Sequence, residues 1–297
     1  MNSRLKDVLL RVLSAVVALP IYFAAIILDW GNSVTILLLA LIISVVALHE
    51  FYLICENVGI MPFKVLGIAA AVGINVIMYF YAFGKNLGFM RSAGGMDVRF
   101  ILALMTLLMT LVSILHLFDR PLKGGIASIG ATFLGLALIV FPFSHTILLK
   151  SMKDGVYYIL LMNITVMLND VAAYFGGVLC GKHKVGFAVS PNKSWEGYCF
   201  GLLFSVLSMV ILNQFCISVL NRQLLSMIEA VLAGIIISLS ATIGDLIESA
   251  VKRDGNIKDS GSLVPGHGGA WDVFDAIIFS TPLFYYYLVL RGAFSGI

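Results

Sequence analysis

The sequence predicts an all-α fold, a polytopic membrane bundle of about nine transmembrane helices. Three observations carry that expectation. Hydrophobic residues fill 60% of the 297 positions and charged residues only 12%, about half the charged share of a soluble domain. Apolar runs of membrane-spanning length recur along the whole chain. No polar stretch between them exceeds roughly 30 residues, so a large soluble domain has no room. The net charge of +3 is small and lacks the basic stripe that marks a nucleic-acid binder, so no nucleic-acid partner is expected.

A bilayer core needs about 20 apolar residues per helix. The first run, 9–29, follows Arg4, Lys6 and Arg11 and reaches Trp30. It is too long for a signal-peptide core and lacks a small-x-small cleavage site, so an uncleaved first helix is expected. Further runs lie at 33–54, 63–83 and 98–118. The fifth, 125–149, contains Pro142, which removes one helical hydrogen bond and favours a kink. The sixth to ninth span 157–180, 197–219, 226–249 and 271–290. Cys55, Cys180, Cys199 and Cys216 lie in or beside apolar runs without CxxC spacing, and read as small buried hydrophobes.

With the N-terminus inside, twelve of the 19 Lys and Arg face inward: Arg4, Lys6, Arg11, Lys64, Arg120, Lys123, Lys182, Lys184, Lys193, Lys252, Arg253 and Lys258. Lys85, Arg91, Arg99, Lys150, Lys153, Arg222 and Arg291 face outward. The bias predicts N-in and C-out. Both long polar loops, 181–196 and 250–270, then share the cytoplasmic side. Few charges lie within the apolar runs of the first 150 residues. The expected division is a scaffold at 1–150 and a catalytic half at 151–297, within one bundle.

The densest polar segment is SAVKRDGNIKDSGSLVPGHGGAWDVFD, Ser249 to Asp275. Cations, carboxylates, a histidine and glycines gather there between apolar stretches. On the helix before it, Asp245, Glu248 and Ser249 share one face at i, i+3, i+4, with Lys252 a turn further on. On the helix after it, Asp272 and Asp275 are i, i+3 neighbours. Solvated helix ends also carry such acids, but two pairs with Lys252, Arg253 and Lys258 between them favour a site. Oxygen-rich carboxylate sets suit Mg²⁺, usually held together with substrate phosphates. Glycines at PGHGG bring backbone N–H groups close to an anion. His267 there suits phosphate binding, proton shuttling or loop ordering.

Three more features bear on the site. Asp170 lies inside an apolar run, where a carboxylate costs roughly 2.5–3.5 kcal/mol unless something offsets it. SPNKSWEG at 190–197 holds Ser194, placed to cap the next helix, and Glu196 in its first turn. Lys193 suits a phosphate oxygen, and Glu196 a metal or a lysine. GGVLCGK at 176–182 nearly matches a phosphate loop, but His183 holds the Ser/Thr position and no strand precedes it. Gly176, Gly177 and Gly181 instead suit close helix packing. His49-Glu50 lacks the second histidine of an HExxH zinc site, and His116 and His145 have no nameable partners.

Basic groups for phosphate and carboxylates for a metal imply phosphoryl or nucleotidyl transfer, with one or two metal ions. A site at the membrane edge implies one lipid and one water-soluble substrate. The long segment resembles the signature of phosphatidate cytidylyltransferases (CDP-diglyceride synthases). NDVAAYFGG, SPNKSWEG and GDLIES resemble the family's preceding blocks in the same order. The resemblance covers Leu168 to Asp275.

It implies the reaction of CTP with phosphatidate to give CDP-diacylglycerol and pyrophosphate, Mg²⁺ dependence and a role in phospholipid biosynthesis. It implies Asp245 and Asp272 as leading metal ligands, with Asp275, Asp170 and Glu196 in support. Lys193, Lys252, Arg253, Lys258 and His267 would handle phosphates, and Asp259 would orient a lysine or join the metal shell. Ser190, Ser194, Glu196, Ser249, Gly268 and Gly269 would contact substrate. The chain departs from the family pattern at Val273, where arginine is usual, at Ala270, where a larger residue is usual, and at Ser194, where threonine is common.

A bacterial inner membrane is the expected location, with an organelle membrane open, and a homo-oligomer is left open. Two alternatives differ in chemistry. A CTP-dependent lipid-alcohol kinase would leave CDP, and a transporter using Asp170 and Asp245 would show repeats and broken helices at midplane. A family member that has lost catalysis is a third, with Val273 as its sign.

Overall fold

The computed structural model describes residues 3–28, 31–84, 99–119 and 123–294. Lys85, Arg91 and Arg120 of the charge count, and Trp30, lie outside them. The described chain is helical: α1 Ser3–Ile27, α2 Val34–Asn57, α3 Lys64–Phe83, α4 Arg99–Asp119, α5 Gly125–Gly135, α6 Phe141–Ser151, α7 Gly155–Cys180, α8 Trp195–Ser218, α9 Met227–Asp254 and α10 Ala270–Phe294. Among the described residues eight helices are long and apolar enough to cross a membrane, with Gly125–Ser151 counted as one span. α1 adds a shorter apolar stretch, Val16–Ile27. The protein is an integral membrane protein, and each of the nine expected runs falls on a helix.

The fifth span is interrupted by a π-helical turn, Leu136–Val140, directly before Pro142. A π-turn absorbs a local mismatch in hydrogen bonding, and proline supplies one by lacking its N–H. α9 runs to Asp254, five residues beyond the expected end. Its last turn carries Lys252 and Arg253, and cations favour a helix C-terminus.

The chain forms two compact units, Met1–Ser151 with Val251–Val273, and Met152–Ala250 with Phe274–Ile297. The polar loop after α9 thus belongs, by its packing, with the N-terminal helices. Buried hydrogen bonds knit the first unit. Tyr52 donates to the Thr132 carbonyl at 2.9 Å, and the Thr132 hydroxyl accepts from the Phe63 N–H at 2.9 Å. Asn75 donates to the Ser44 hydroxyl at 3.0 Å.

Close backbone approach organises the second unit, as membrane helices without a strong hydrophobic drive require. A Cβ on Gly176 of α7 would lie 2.5 Å from the Phe200 Cβ of α8. One on Gly197 would lie 2.8 Å from the Ala173 carbonyl. The glycines thus serve helix packing, as the sequence suggests. Polar contacts add specificity: Ser238 donates to Asn169 Oδ1 at 2.7 Å, and Asn213 pairs with both the N–H and the carbonyl of Leu225 at 3.1 and 2.9 Å.

Candidate functional site

In the second unit the site starts from a tight reversal between α7 and α8. The Val185 N–H donates to the Lys193 carbonyl and the Trp195 N–H to the His183 carbonyl, both at 3.0 Å. Ser190 sits in the turn, with its N–H on the Phe187 carbonyl. Ser194 caps α8 as expected, its hydroxyl accepting from the Gly197 N–H at 3.2 Å. This fixes Lys193, the preceding residue, so that its ammonium pairs with Asp245 of α9 and lies 5.8 Å from the Tyr198 ring centroid. Glu196 pairs with His183 Nδ1 at 2.6 Å and accepts from the His183 N–H, so its partner here is a histidine.

Lys193, Asp245, Asp170 and Asn169 line one cavity of about 630 Å³, together with Thr242, Tyr198 and the small residues Gly177 and Gly181. Asn169 donates to Asp170 Oδ1 at 3.1 Å. An intramembrane carboxylate is thereby placed on a polar wall, which offsets its insertion cost.

Asp245 also belongs to a second grouping. One carboxylate oxygen each of Asp245, Glu248 and Asp275 lie within 4.8 Å of one another. Glu248 is only 1% exposed. Ser249 leans on Asp245 Oδ1 at 3.4 Å. The shared face of Asp245 and Glu248 was legible from their spacing. Asp275 joins them because α9 and α10 pack closely around Gly244, where a Cβ would lie 2.9 Å from the Asp275 carbonyl. Carboxylates this close repel unless a cation sits among them, so the oxygen-only donor set suits a hard divalent cation.

In the first unit the loop after α9 folds over the start of α10. Asp272 Oδ2 accepts from the Ser260 N–H at 2.7 Å, the Ser260 hydroxyl at 2.9 Å and the Gly269 N–H at 2.7 Å. Oδ1 takes the Lys252 ammonium at 2.6 Å. A cation on Asp272 would occupy the Oδ1 side that Lys252 fills. Val264 and Gly268 close a tight turn through N–H to carbonyl bonds at 2.8 and 3.1 Å. Gly266 and Gly268 hold φ of +81° and +104° there, angles that only glycine adopts cheaply.

His267 at the tip is exposed and lies 3.2 Å from the Ser14 hydroxyl of α1. Arg253 donates to the Ile257 carbonyl at 3.0 Å, and Lys258 and Asp259 are exposed on the loop surface. Val273 is 37% exposed on the first turn of α10.

Within the second unit the expected site residues Asp170, Lys193, Asp245, Ser249 and Asp275 are thus gathered. Within the first, Lys252, Asp272 and Gly269 are gathered. Glu248 and Glu50 are additions. Helical spacing puts Glu248 on the Asp245 face, the signal that it can join the ligands. A lone carboxylate in an apolar run is the corresponding signal for Glu50.

The cytidylyltransferase family model matches residues 9–291. A phosphatidate cytidylyltransferase of Staphylococcus haemolyticus is 33% identical over 273 residues, covering 92% of this chain and 96% of that protein. One from Staphylococcus epidermidis is 31% identical over 274 residues, with coverages of 92% and 96%. One from Staphylococcus aureus is 30% identical over 274 residues with the same coverages.

Proposed function

The chain belongs to the cytidylyltransferase family, and from that premise we propose that it makes CDP-diacylglycerol and pyrophosphate from CTP and phosphatidate. A phosphatidate oxygen attacks the α-phosphorus of CTP. A P–O bond forms there, and the bond from that phosphorus to the bridging oxygen breaks, releasing pyrophosphate. The attacking oxygen is already anionic near neutral pH, so no strong general base is needed. The obstacle is repulsion between the lipid phosphate and the triphosphate, and the protein's task is positioning and charge neutralisation.

One observation carries the reading. Asp245 belongs both to the three-carboxylate cluster and to the wall of the cavity that Lys193 lines. A site for a divalent cation and a cationic side chain for phosphate therefore meet at one residue. We assign Mg²⁺ as that cation, held by Asp245, Glu248 and Asp275, with Asp170 in support; bound there, it would neutralise polyphosphate charge. Lys193 is assigned to a phosphate oxygen, which it reaches by exchanging its contact with Asp245. Ser194, Ser190 and Glu196 act by holding the reversal that presents Lys193.

Lys252 and Asp272 form the corresponding pair of the first unit. Asp272 is assigned as a metal-binding carboxylate of that unit if Lys252 turns from it to phosphate. Arg253, Lys258 and His267, with the N–H groups of Gly268 and Gly269, are assigned to nucleotide and lipid phosphates, and Asp259 to orienting a lysine.

The Lys/Arg bias supports a cytoplasmic site and N-in, C-out topology, and bacterial relatives support the inner membrane. Purified full-length protein with labelled CTP, phosphatidate and Mg²⁺ tests the reaction. Label should appear in lipid, with one pyrophosphate per product. The same protein given diacylglycerol instead, releasing CDP with phosphate on the lipid, would replace it by the kinase reading, and no lipid product in either reaction would refute both.

A further inference from the structure

Glu50, about two turns before the end of α2, is 5% exposed and makes three bonds far along the chain. Its Oε1 accepts from the Ala270 N–H at 2.8 Å, and its Oε2 from the Trp271 N–H at 2.9 Å and the Ser260 hydroxyl at 2.9 Å. Ala270 and Trp271 are the first two residues of α10, whose N–H groups have no partner within the helix. A side chain at the capping position would ordinarily satisfy them. Here that position is Gly269, which has none. A Cβ there would collide with Glu50 Oε2 and Ser260 Oγ, and one at Gly261 would lie 2.7 Å from Glu50 Oε1. Asp272 completes the arrangement by reaching back to the Gly269 N–H. The first turn of α10 is thus capped by two carboxylates, one local and one from a helix about 220 residues earlier. A negative group at a helix N-terminus is also electrostatically favoured.

We propose that Glu50 is a positioning residue for cytidylyl transfer, fixing the segment Ser260–Asp272 in the conformation that presents Asp272, Lys252 and the Gly268–Gly269 backbone. The proposal rests on the reaction assigned above. Glu50 touches no substrate and acts through the cap. Glu50→Gln keeps the shape but turns an amide N–H₂ toward N–H donors, so at least one cap bond is lost. Glu50→Asp keeps the charge with a shorter reach.

The test pairs turnover with amide hydrogen exchange on the full-length protein in phosphatidate-containing vesicles. Glu50→Gln should exchange the amides of residues 270 and 271 roughly 10-fold faster or more, the ratio implied by losing a hydrogen bond to a charged acceptor. It should lower kcat by a similar factor while KM for CTP changes little. Glu50→Asp should fall between Glu50→Gln and wild type in both readouts, and it carries the test should Glu50→Gln not fold. Because Gly269→Ala strikes Glu50, the losses from Glu50→Ala and Gly269→Ala should be less than additive. Unchanged exchange at 270 and 271, a kcat within about twofold of wild type, or fully additive losses would each overturn the proposal. Exchange is read without substrate, so a wild-type protein that makes no lipid-linked cytidine would defeat the reaction assignment while the exchange result still decided the anchor.

Discussion

Glu248→Gln gives the sharpest check on the carboxylate cluster, because it should change stability and activity in opposite directions. At the 4.8 Å limit for the three oxygens, each pair of unit charges repels by about 3.5 kcal/mol at an effective dielectric of about 20. Glu248 takes part in two of the three pairs, so its charge contributes about 7 kcal/mol of repulsion without a metal. Lys193 offsets part of the total through Asp245, and side-chain relaxation offsets more. We expect a net gain of ~1–3 kcal/mol on neutralising Glu248, the scale of ordinary single substitutions. In EDTA and detergent, the variant should therefore unfold at a higher temperature than wild type.

Mg²⁺ should reverse the order. A ligand at a thousand times its dissociation constant stabilises by about 4.1 kcal/mol, and wild type should show that gain while the variant shows little. Turnover should fall about 10²–10³-fold, as when one group that stabilises transition-state charge is removed. A thermal unfolding titration with and without Mg²⁺ reads all but the last. If the variant melted at or below wild type in EDTA and kept the full Mg²⁺ response, the three carboxylates would not be the metal site.

Three further outcomes are expected. Lys193→Met should cut lipid-linked cytidine formation about 10²-fold and free Asp245, so Mg²⁺ should protect the variant against heat at lower concentrations than it protects wild type. Asp272→Asn loses the charge behind four donated hydrogen bonds; limited proteolysis should cut the 255–269 loop faster, and turnover should fall at least about 10²-fold. Val273→Arg should change turnover by no more than about threefold, because the side chain is exposed and a cation in the first turn of a helix costs only about 0.3–1 kcal/mol. A large gain in that assay would show instead that the missing arginine limits the native enzyme.

Features set by neighbours in sequence were legible. The helices followed from apolar run length, the Ser194 cap from its place before an apolar segment, and the shared face of Asp245 and Glu248 from helical spacing. Asp170 stood out because hydrocarbon makes a lone carboxylate expensive. What escaped were pairings made by helix packing. Nothing in the spacing of Asp275 tells that it joins Asp245 and Glu248 rather than its i−3 neighbour Asp272. Nothing local announces that Glu196 takes His183, or that Lys252 takes Asp272. Glu50 was hidden most deeply, because two of its three partners are backbone N–H groups, which carry no residue-type signal. The end of α9 was missed because hydropathy stops at the lipid boundary while hydrogen bonding does not.

The capping of α10 by Glu50 constrains how this protein can be recombined. A chimera joined near residue 151, with each half from a different relative, would ask one parent's second helix to seat another parent's glycine loop. Such hybrids should function only where the incoming half brings an acid of matching reach. The same dependence means that the 152–297 fragment, made alone, would carry every signature motif and still lack the group that seats it.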